Sequence, residues 1–258
     1  MSDIHPSAQI SSSARLGEGV SVGPLCVVGD DVELGRGTRL IACCTVLGPT
    51  VMGANNVVFP YAVLGAEPQD RSHTGHATSL RIGDDNVFRE HVTVHRGTLK
   101  DRGETRIGSG CLFMAGAHVA HDAVLGDGIT LANATLLGGH VVLGDRVTTG
   151  GHAAIAPFVR VGQSAFVAAG AMVEVDVPPF VIVAGDRARV RALNRVGLLR
   201  SGVPEPSRRA LRRVFRVLFR ASAPIRESMR TLDGELTSDP YVQTLLGFLT
   251  ESRELRHE

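Results

Sequence analysis

Three histidines within one stretch, His118, His121 and His140 of IGSGCLFMAGAHVAHDAVLGDGITLANATLLGGH, are the residues of this sequence best suited to chemistry. An imidazole exchanges its proton near neutral pH. It can therefore take a proton from an attacking alcohol, or bind zinc through a ring nitrogen. A single histidine is ordinarily a hydrogen-bonded structural residue; several together, with an acid in the AHVAHD run of Ala117–Asp122, form a candidate site. Asp122 directly follows His121, and strand neighbours point to opposite faces, so contact between the two requires a chain corner. The cysteines, Cys26, Cys43, Cys44 and Cys111, have neither metal nor redox spacing. Adjacent Cys43 and Cys44 are expected on opposite sides of a strand, as reduced packing residues of a cytosolic protein.

What must position the histidines is a six-residue repeat. From Ile4 to Leu64 every sixth residue is aliphatic; the phase returns at Ile82, Phe88 and Val94, slips by one before Ile107, and runs on to Val173 with Thr149 as its polar exception. Glycine often follows the aliphatic, as at Gly17, Gly23, Gly35, Gly53, Gly126 and Gly144, which suits a corner with positive φ or a close backbone approach. Six is neither the helical period nor a simple alternation. It predicts short strands and corners stacked into a parallel β-helix. With coils about 4.8 Å apart, roughly nine of them make a prism on the order of 43 Å long. The narrow core needs small side chains, which fits a chain with 4% aromatic residues and no tryptophan.

The 258 residues are 43% hydrophobic and 21% charged, which are globular values. MSDIHPSAQI lacks the charged start and apolar core of a signal peptide, and no apolar run suits a membrane span. The hexads begin at Ile4, so no N-terminal domain is expected before them. Two polar insertions interrupt them, Ala66–Leu80 and Thr98–Arg106, and loops on a rigid scaffold are where binding residues tend to sit. After Pro179 the period becomes helical. Leu211, Val214, Phe215 and Leu218 predict one helix starting just after Pro206 and Ser207; Val242, Leu245, Leu246 and Leu249 predict another opened by Asp239 and Pro240. A short helix is expected within Ala223–Leu236. Residues 187–258 carry 15 arginines against 8 acids. The run Arg208, Arg209, Arg212, Arg213, Arg216 and Arg220 suits steering of an acidic partner. Nothing resembles a nucleic-acid recognition motif.

Several motifs at compatible spacing, GAEPQD at Gly65–Asp70, VHRGT at Val94–Thr98, AHVAHD, LGGH at Leu137–His140 and DVPPFVIVAGD at Asp176–Asp186, resemble one family. It is that of the acyl-[acyl-carrier-protein]:UDP-N-acetylglucosamine O-acyltransferases, hexapeptide-repeat enzymes of lipid A synthesis, and the resemblance covers nearly the whole chain. It implies a left-handed parallel β-helix over 1–186, with loops 66–80 and 98–106 inserted, and an α-helical C-terminal domain over 187–258. It also implies a cytoplasmic homotrimer with sites between subunits, and acyl carrier protein and a UDP-sugar as partners. No cofactor is expected, because the acyl group arrives on the carrier's phosphopantetheine thioester. No metal, nucleic acid or integral membrane contact is implied either. By resemblance His121 is the general base, Asp122 orients it, and the Gly139 N–H stabilises the oxyanion. Gln69 and Asp70 match the sugar-nucleotide loop, and His95, His118 and His140 match residues that line the cleft. Asn194 and Arg200 match contacts to UDP, where a guanidinium fork suits phosphate oxygens. No acyl-enzyme is needed, so the cysteines have no nucleophilic role.

The sequence departs from the family at several of these places. Ala156 and Pro157 stand where a His-Gln pair is common, and Val196 and Ser201 stand where an acidic and a second basic residue flank the nucleotide. Ser72 replaces a basic residue, for which Arg71 is the candidate substitute. These changes bear on nucleotide affinity and sugar identity, so a UDP sugar with a 3-amine is a second candidate acceptor. Two other classes share the prism: a γ-carbonic-anhydrase-like zinc enzyme with three histidine ligands, and a non-catalytic scaffold. The later N-acyltransferase of the same pathway normally carries an extra domain before its hexads.

Overall fold

Each hexad forms a short strand and a corner, and three strands complete a coil. Asp3–Ile4, Gln9–Ile10 and Arg15–Leu16 make the first turn, after which Ser21–Val22 lies parallel to Asp3–Ile4. The computed structural model describes residues 3–221 and 223–252. Residues 253–258, the end of the expected helical domain, lie outside the described residues. The strands form three sheets of 11, 9 and 8 strands, here sheets A, B and C, which begin at Asp3–Ile4, Gln9–Ile10 and Arg15–Leu16 respectively. The architecture is a left-handed parallel β-helix with helices after it. Its lower end is closed by Arg189–Leu193, which pairs antiparallel with Val181–Ala184 and so extends sheet A beyond the last hexad.

The repeating aliphatics point inward and stack from coil to coil, as Val22, Leu40, Val58 and Phe88 do in sheet A. Phe88 and Phe113 stack with ring centroids 4.7 Å apart. Ile4 is 44% exposed, since the first coil has a neighbour on one side only. Thr149 is tolerated inside because its hydroxyl bonds Thr135 Oγ1 at 2.7 Å and accepts from the Ala132 N–H at 3.1 Å.

The corners revise the role expected for the glycines. Positive φ falls three residues after the inward aliphatic and is borne mostly by other residues, among them Leu25, Asn55, Asp122, His140 and Arg146. The glycine directly after the aliphatic serves close approach instead. A Cβ on Gly23 would lie 1.8 Å from the Ile41 carbonyl oxygen of the next coil, and one on Gly35 2.4 Å from that of Gly53. Cys43 occupies such a positive-φ corner, at 51°, so the Cys43–Cys44 pair is set by a corner rather than a strand. All four cysteines are free, and burial pushes the Cys44 and Cys111 thiols up to about 12 and about 11.

Both insertions are shorter than the sequence suggests. Strands Val63–Ala66 and Ser79–Ile82 bound the first, and Thr93–His95 and Glu104–Ile107 the second. The flanking residues pair with one another between coils, Ser79 with Glu104 and Leu80 with Thr105, and this lengthens the strands. Both insertions lie between a strand of sheet B and one of sheet C, on one edge of the prism.

The tail forms α1 (Arg195–Arg200), α2 (Glu205–Phe219), α3 (Ile225–Arg230), α4 (Gly234–Thr237) and α5 (Pro240–Glu251). α2 begins before the expected start: Pro204 precedes it and Pro206 sits in its first turn, while Ser207 is buried and caps nothing. Leu211, Val214, Phe215 and Leu218 are buried as the spacing requires. Asp239 caps α5, accepting from the Tyr241 and Val242 N–H groups. Among the described residues, no helix is long and apolar enough to cross a membrane.

Candidate active site

The sheet B to sheet C edge collects the chemistry. His121 and Asp122 form the corner between His118–Val119 and Val124–Leu125, and Gly139 and His140 form the corner of the next coil. Asp122 adopts φ 60°, and this turn brings two adjacent side chains together. His121 Nδ1 lies 2.8 Å from Asp122 Oδ2.

Asp122 is 1% exposed, and a carboxylate so placed needs donors around it. Thr98 of the second insertion supplies two: its N–H reaches Oδ1 at 2.9 Å and its hydroxyl reaches Oδ2 at 2.7 Å. The Asp122 N–H in turn donates to Thr105 Oγ1 at 2.8 Å. His140 turns Nε2 towards Asp122 Oδ2 at 3.6 Å and Nδ1 towards Asp101 Oδ2 at 3.4 Å, and Phe158 stacks on its ring with centroids 4.4 Å apart. Gly139 packs directly on His121: an added Cβ would lie 2.6 Å from Cε1 and 2.8 Å from Nε2 of its ring.

His95 and His118 stand beside this corner on sheet B, in neighbouring strands, with ring centroids 5.3 Å apart. His95 Nδ1 bonds the Glu67 carbonyl and His118 Nδ1 bonds Thr93 Oγ1 at 2.7 Å. Burial pushes the His118 imidazole below its ordinary 6.5, and the nearby His95 and His121 rings push the same way. A histidine neutral in the fold but protonated in the unfolded chain costs stability as pH falls below 6.5 and costs nothing above it. His118→Gln is therefore expected to lose less stability than the wild type between about pH 7.5 and about pH 5.5 in urea titrations. Equal losses in both proteins would contradict the assignment.

Asp70 is held over the same edge. It accepts from the Ser72 N–H and hydroxyl, each at 2.9 Å, and pairs with Lys100 of the second insertion at 2.7 Å. Lys100 and Ser72 hold its carboxyl well below the usual carboxylate range. Gln69 beside it is exposed, and so is Arg71. Below His118 a groove of about 480 Å³ runs over sheet B between Ala120, Leu136, Ala154, Ala156 and Met172. Pro157 packs against Gly138 of the coil before it.

Asn194 and Arg200 are not brought to that edge. Asn194 is buried, its amide donating to the Ser164 carbonyl at 2.9 Å and accepting from the Gly197 N–H at 3.0 Å, so it caps α1. With Arg200, Val196 and Ser201 it lines a cavity of about 670 Å³ against the outer face of sheet A, reaching the edge between sheets C and A. Residues that the motifs alone did not single out are Thr98, Lys100, Asp101 and Phe158. Thr98 had a signal, since it ends VHRGT. Among the described residues, the histidine and carboxylate atoms close enough to share a metal ion belong to His121, Asp122 and His140, within 4.8 Å of one another, and His118 is not among them.

Residues 176–256 match the family model "Udp N-acetylglucosamine O-acyltransferase; Domain 2". The chain is 43% identical over 253 residues to the acyl-[acyl-carrier-protein]–UDP-N-acetylglucosamine O-acyltransferase of Saccharophagus degradans, covering 98% of each. It is 42% identical over 251 residues to the protein of that name from Syntrophobacter fumaroxidans, covering 97% of each. Among solved structures, LpxA from Acinetobacter baumannii superposes with a TM-score of 0.93 at 34% identity, covering 97% of each chain. With four of the five motifs on one edge of the prism and likeness along its whole length, this chain belongs to the acyl-[acyl-carrier-protein]–UDP-N-acetylglucosamine O-acyltransferase family.

Proposed function

We propose that this protein moves a fatty acyl group from acyl carrier protein to the 3-hydroxyl of UDP-N-acetylglucosamine, the first acylation of lipid A synthesis, as a cytoplasmic homotrimer. The curated relatives carry both substrates in their name. The observation that carries the reading is the His121–Asp122 pair at a corner, with Gly139 against the imidazole. With the Nδ1–H donating to Asp122, the Nε2 lone pair is left for the acceptor. The sugar hydroxyl attacks the thioester carbonyl as its proton passes to Nε2; the C–O bond forms, the C–S bond breaks, and the imidazolium returns the proton to the leaving sulfur. Base catalysis of this kind contributes about 10²- to 10⁴-fold.

The oxyanion falls to the Gly139 N–H, which makes no backbone hydrogen bond among the described residues. One such donor contributes about 10²- to 10³-fold. The groove below His118 suits the acyl chain, being walled by Leu136 and Met172. The base and the Asn194–Arg200 cavity lie on different edges, so a neighbouring subunit is assigned the nucleotide contacts.

The test is a mass-spectrometric assay with acyl carrier protein thioesters of several lengths and UDP-N-acetylglucosamine or its 3-amino analogue, run beside His121→Ala. An O-acylated UDP-N-acetylglucosamine from the wild type, nearly lost in the variant, is the expected result. A folded wild type no more active than His121→Ala across the panel would overturn the reading.

A further inference from the structure

Three arginines converge on the cavity beside α1. Arg146 stands at the corner between Val142–Leu143 and Thr148–Thr149, where sheet C passes into sheet A, while Arg195 opens α1 and Arg200 closes it. All three line the cavity of about 670 Å³, whose wall on sheet A is Thr148, Phe166, Ile182 and Leu193. The Arg146 stem lies across Gly128 of the preceding coil, its Cγ 3.4 Å from where a Cβ would stand. Among the described residues, none of these three guanidiniums makes an ion pair. On α2 the arginines behave differently: Arg208 and Arg212 are matched to Glu205 at 2.7 and 2.9 Å, and Arg213 to Asp233 at 3.4 Å. Part of the positive charge of α2 is thus answered by acids, although Arg209 and Arg216 form no ion pair among the described residues, whereas none of the three arginines around the cavity is answered. Uncompensated planar donors above an apolar wall suit a ligand with adjacent phosphates on a flat heterocycle.

We propose that Arg146 and Arg195 bind the diphosphate of the UDP-sugar together with Arg200, while Phe166 and Ile182 receive the nucleoside. The proposal rests on the acceptor assigned above and adds two binding residues to it. Arg146 reaches the cavity from the prism and Arg195 from the tail, so the diphosphate is held from two sides. Removing one guanidinium from a phosphate contact that is partly open to solvent is expected to weaken binding about 10-fold. Lysine in its place keeps the charge and loses the fork.

Calorimetric titration of the full chain with UDP-N-acetylglucosamine, UDP and uridine tests this, using the wild type, Arg146→Gln, Arg146→Lys and Arg195→Gln, with KM for acyl carrier protein measured alongside. Both Gln variants are expected to bind the two diphosphates about 10-fold more weakly and uridine unchanged, with Arg146→Lys between them and the wild type. KM for the carrier protein is expected to stay constant. Equal diphosphate affinity in all four proteins would overturn the inference and leave the acceptor assignment standing. So would a raised KM for the carrier with diphosphate binding intact, which would assign the arginines to the acidic protein. A wild type that binds none of the diphosphates would overturn the acceptor assignment and the inference together.

Discussion

Asp122→Asn is expected to lower kcat by about 10³-fold or more while leaving KM for both substrates nearly unchanged. Both oxygens of this carboxylate face donors: the Thr98 N–H at Oδ1, and the Thr98 hydroxyl and His121 Nδ1 at Oδ2. An amide must turn its NH₂ towards one side. Facing the Thr98 N–H it would set donor against donor in a buried place, so the favoured arrangement presents NH₂ to His121 and lets the Thr98 hydroxyl accept. His121 Nδ1 must then accept, its proton moves to Nε2, and the nitrogen meant to receive the sugar proton is already protonated. Steady-state kinetics with ¹⁵N spectra of the His121 ring check this. A loss smaller than about 10-fold with the tautomer unchanged would show that Asp122 neither fixes the proton nor drives the step.

Gly139→Ala is expected to reduce kcat/KM by about 10²-fold or more with little change in thermal stability. The Gly139 backbone is not in the left-handed region, so alanine suits its conformation and only space is at issue. The atoms a methyl would meet are Cε1 and Nε2 of His121, the mobile end of a side chain, so the ring gives way before the coil does. Its tether to Asp122 then stretches or breaks. Displacement of a base by about 1 Å costs on the order of 10²-fold, while the Gly139 N–H, carried by the unmoved coil, keeps its place. Parallel measurement of activity and melting temperature separates this from general damage: a loss of both in proportion would indicate a structural glycine alone.

His121, Asp122, Gly139 and His140 could be picked out in the sequence because their motifs resemble a family, and the fold gathers these residues at two consecutive corners. The two insertions were visible as breaks in the period, though their ends were not, because pairing of Ser79 with Glu104 draws flanking residues into strands. What Thr98, Lys100 and Asp101 reach was not legible at all. Each contacts a different part of the site, Asp122, Asp70 and His140 respectively, and such hydrogen bonds follow no period along the chain. The sequence also suggested Arg71 in place of the basic residue missing at Ser72. The cation found on Asp70 is Lys100, from the other insertion.

By itself the sequence determined the coil. An aliphatic at every sixth position leaves a chain one economical way to bury them, as inward faces of stacked short strands, and the same count predicts where the stack ends and helices begin. The sequence could not decide which corners share an edge once two insertions had shifted the register, since that depends on how each coil pairs with the next. Tertiary structure settled it: Val57 pairs with Val87 and Val87 with Leu112, the extra residues are expelled at the B to C edge, and that edge carries the candidate site. It also set Arg146 beside Arg195 and Arg200. Arg146 of the prism and Arg195 and Arg200 of α1 line one cavity there because the prism and α1 pack against each other, an arrangement invisible to any local pattern.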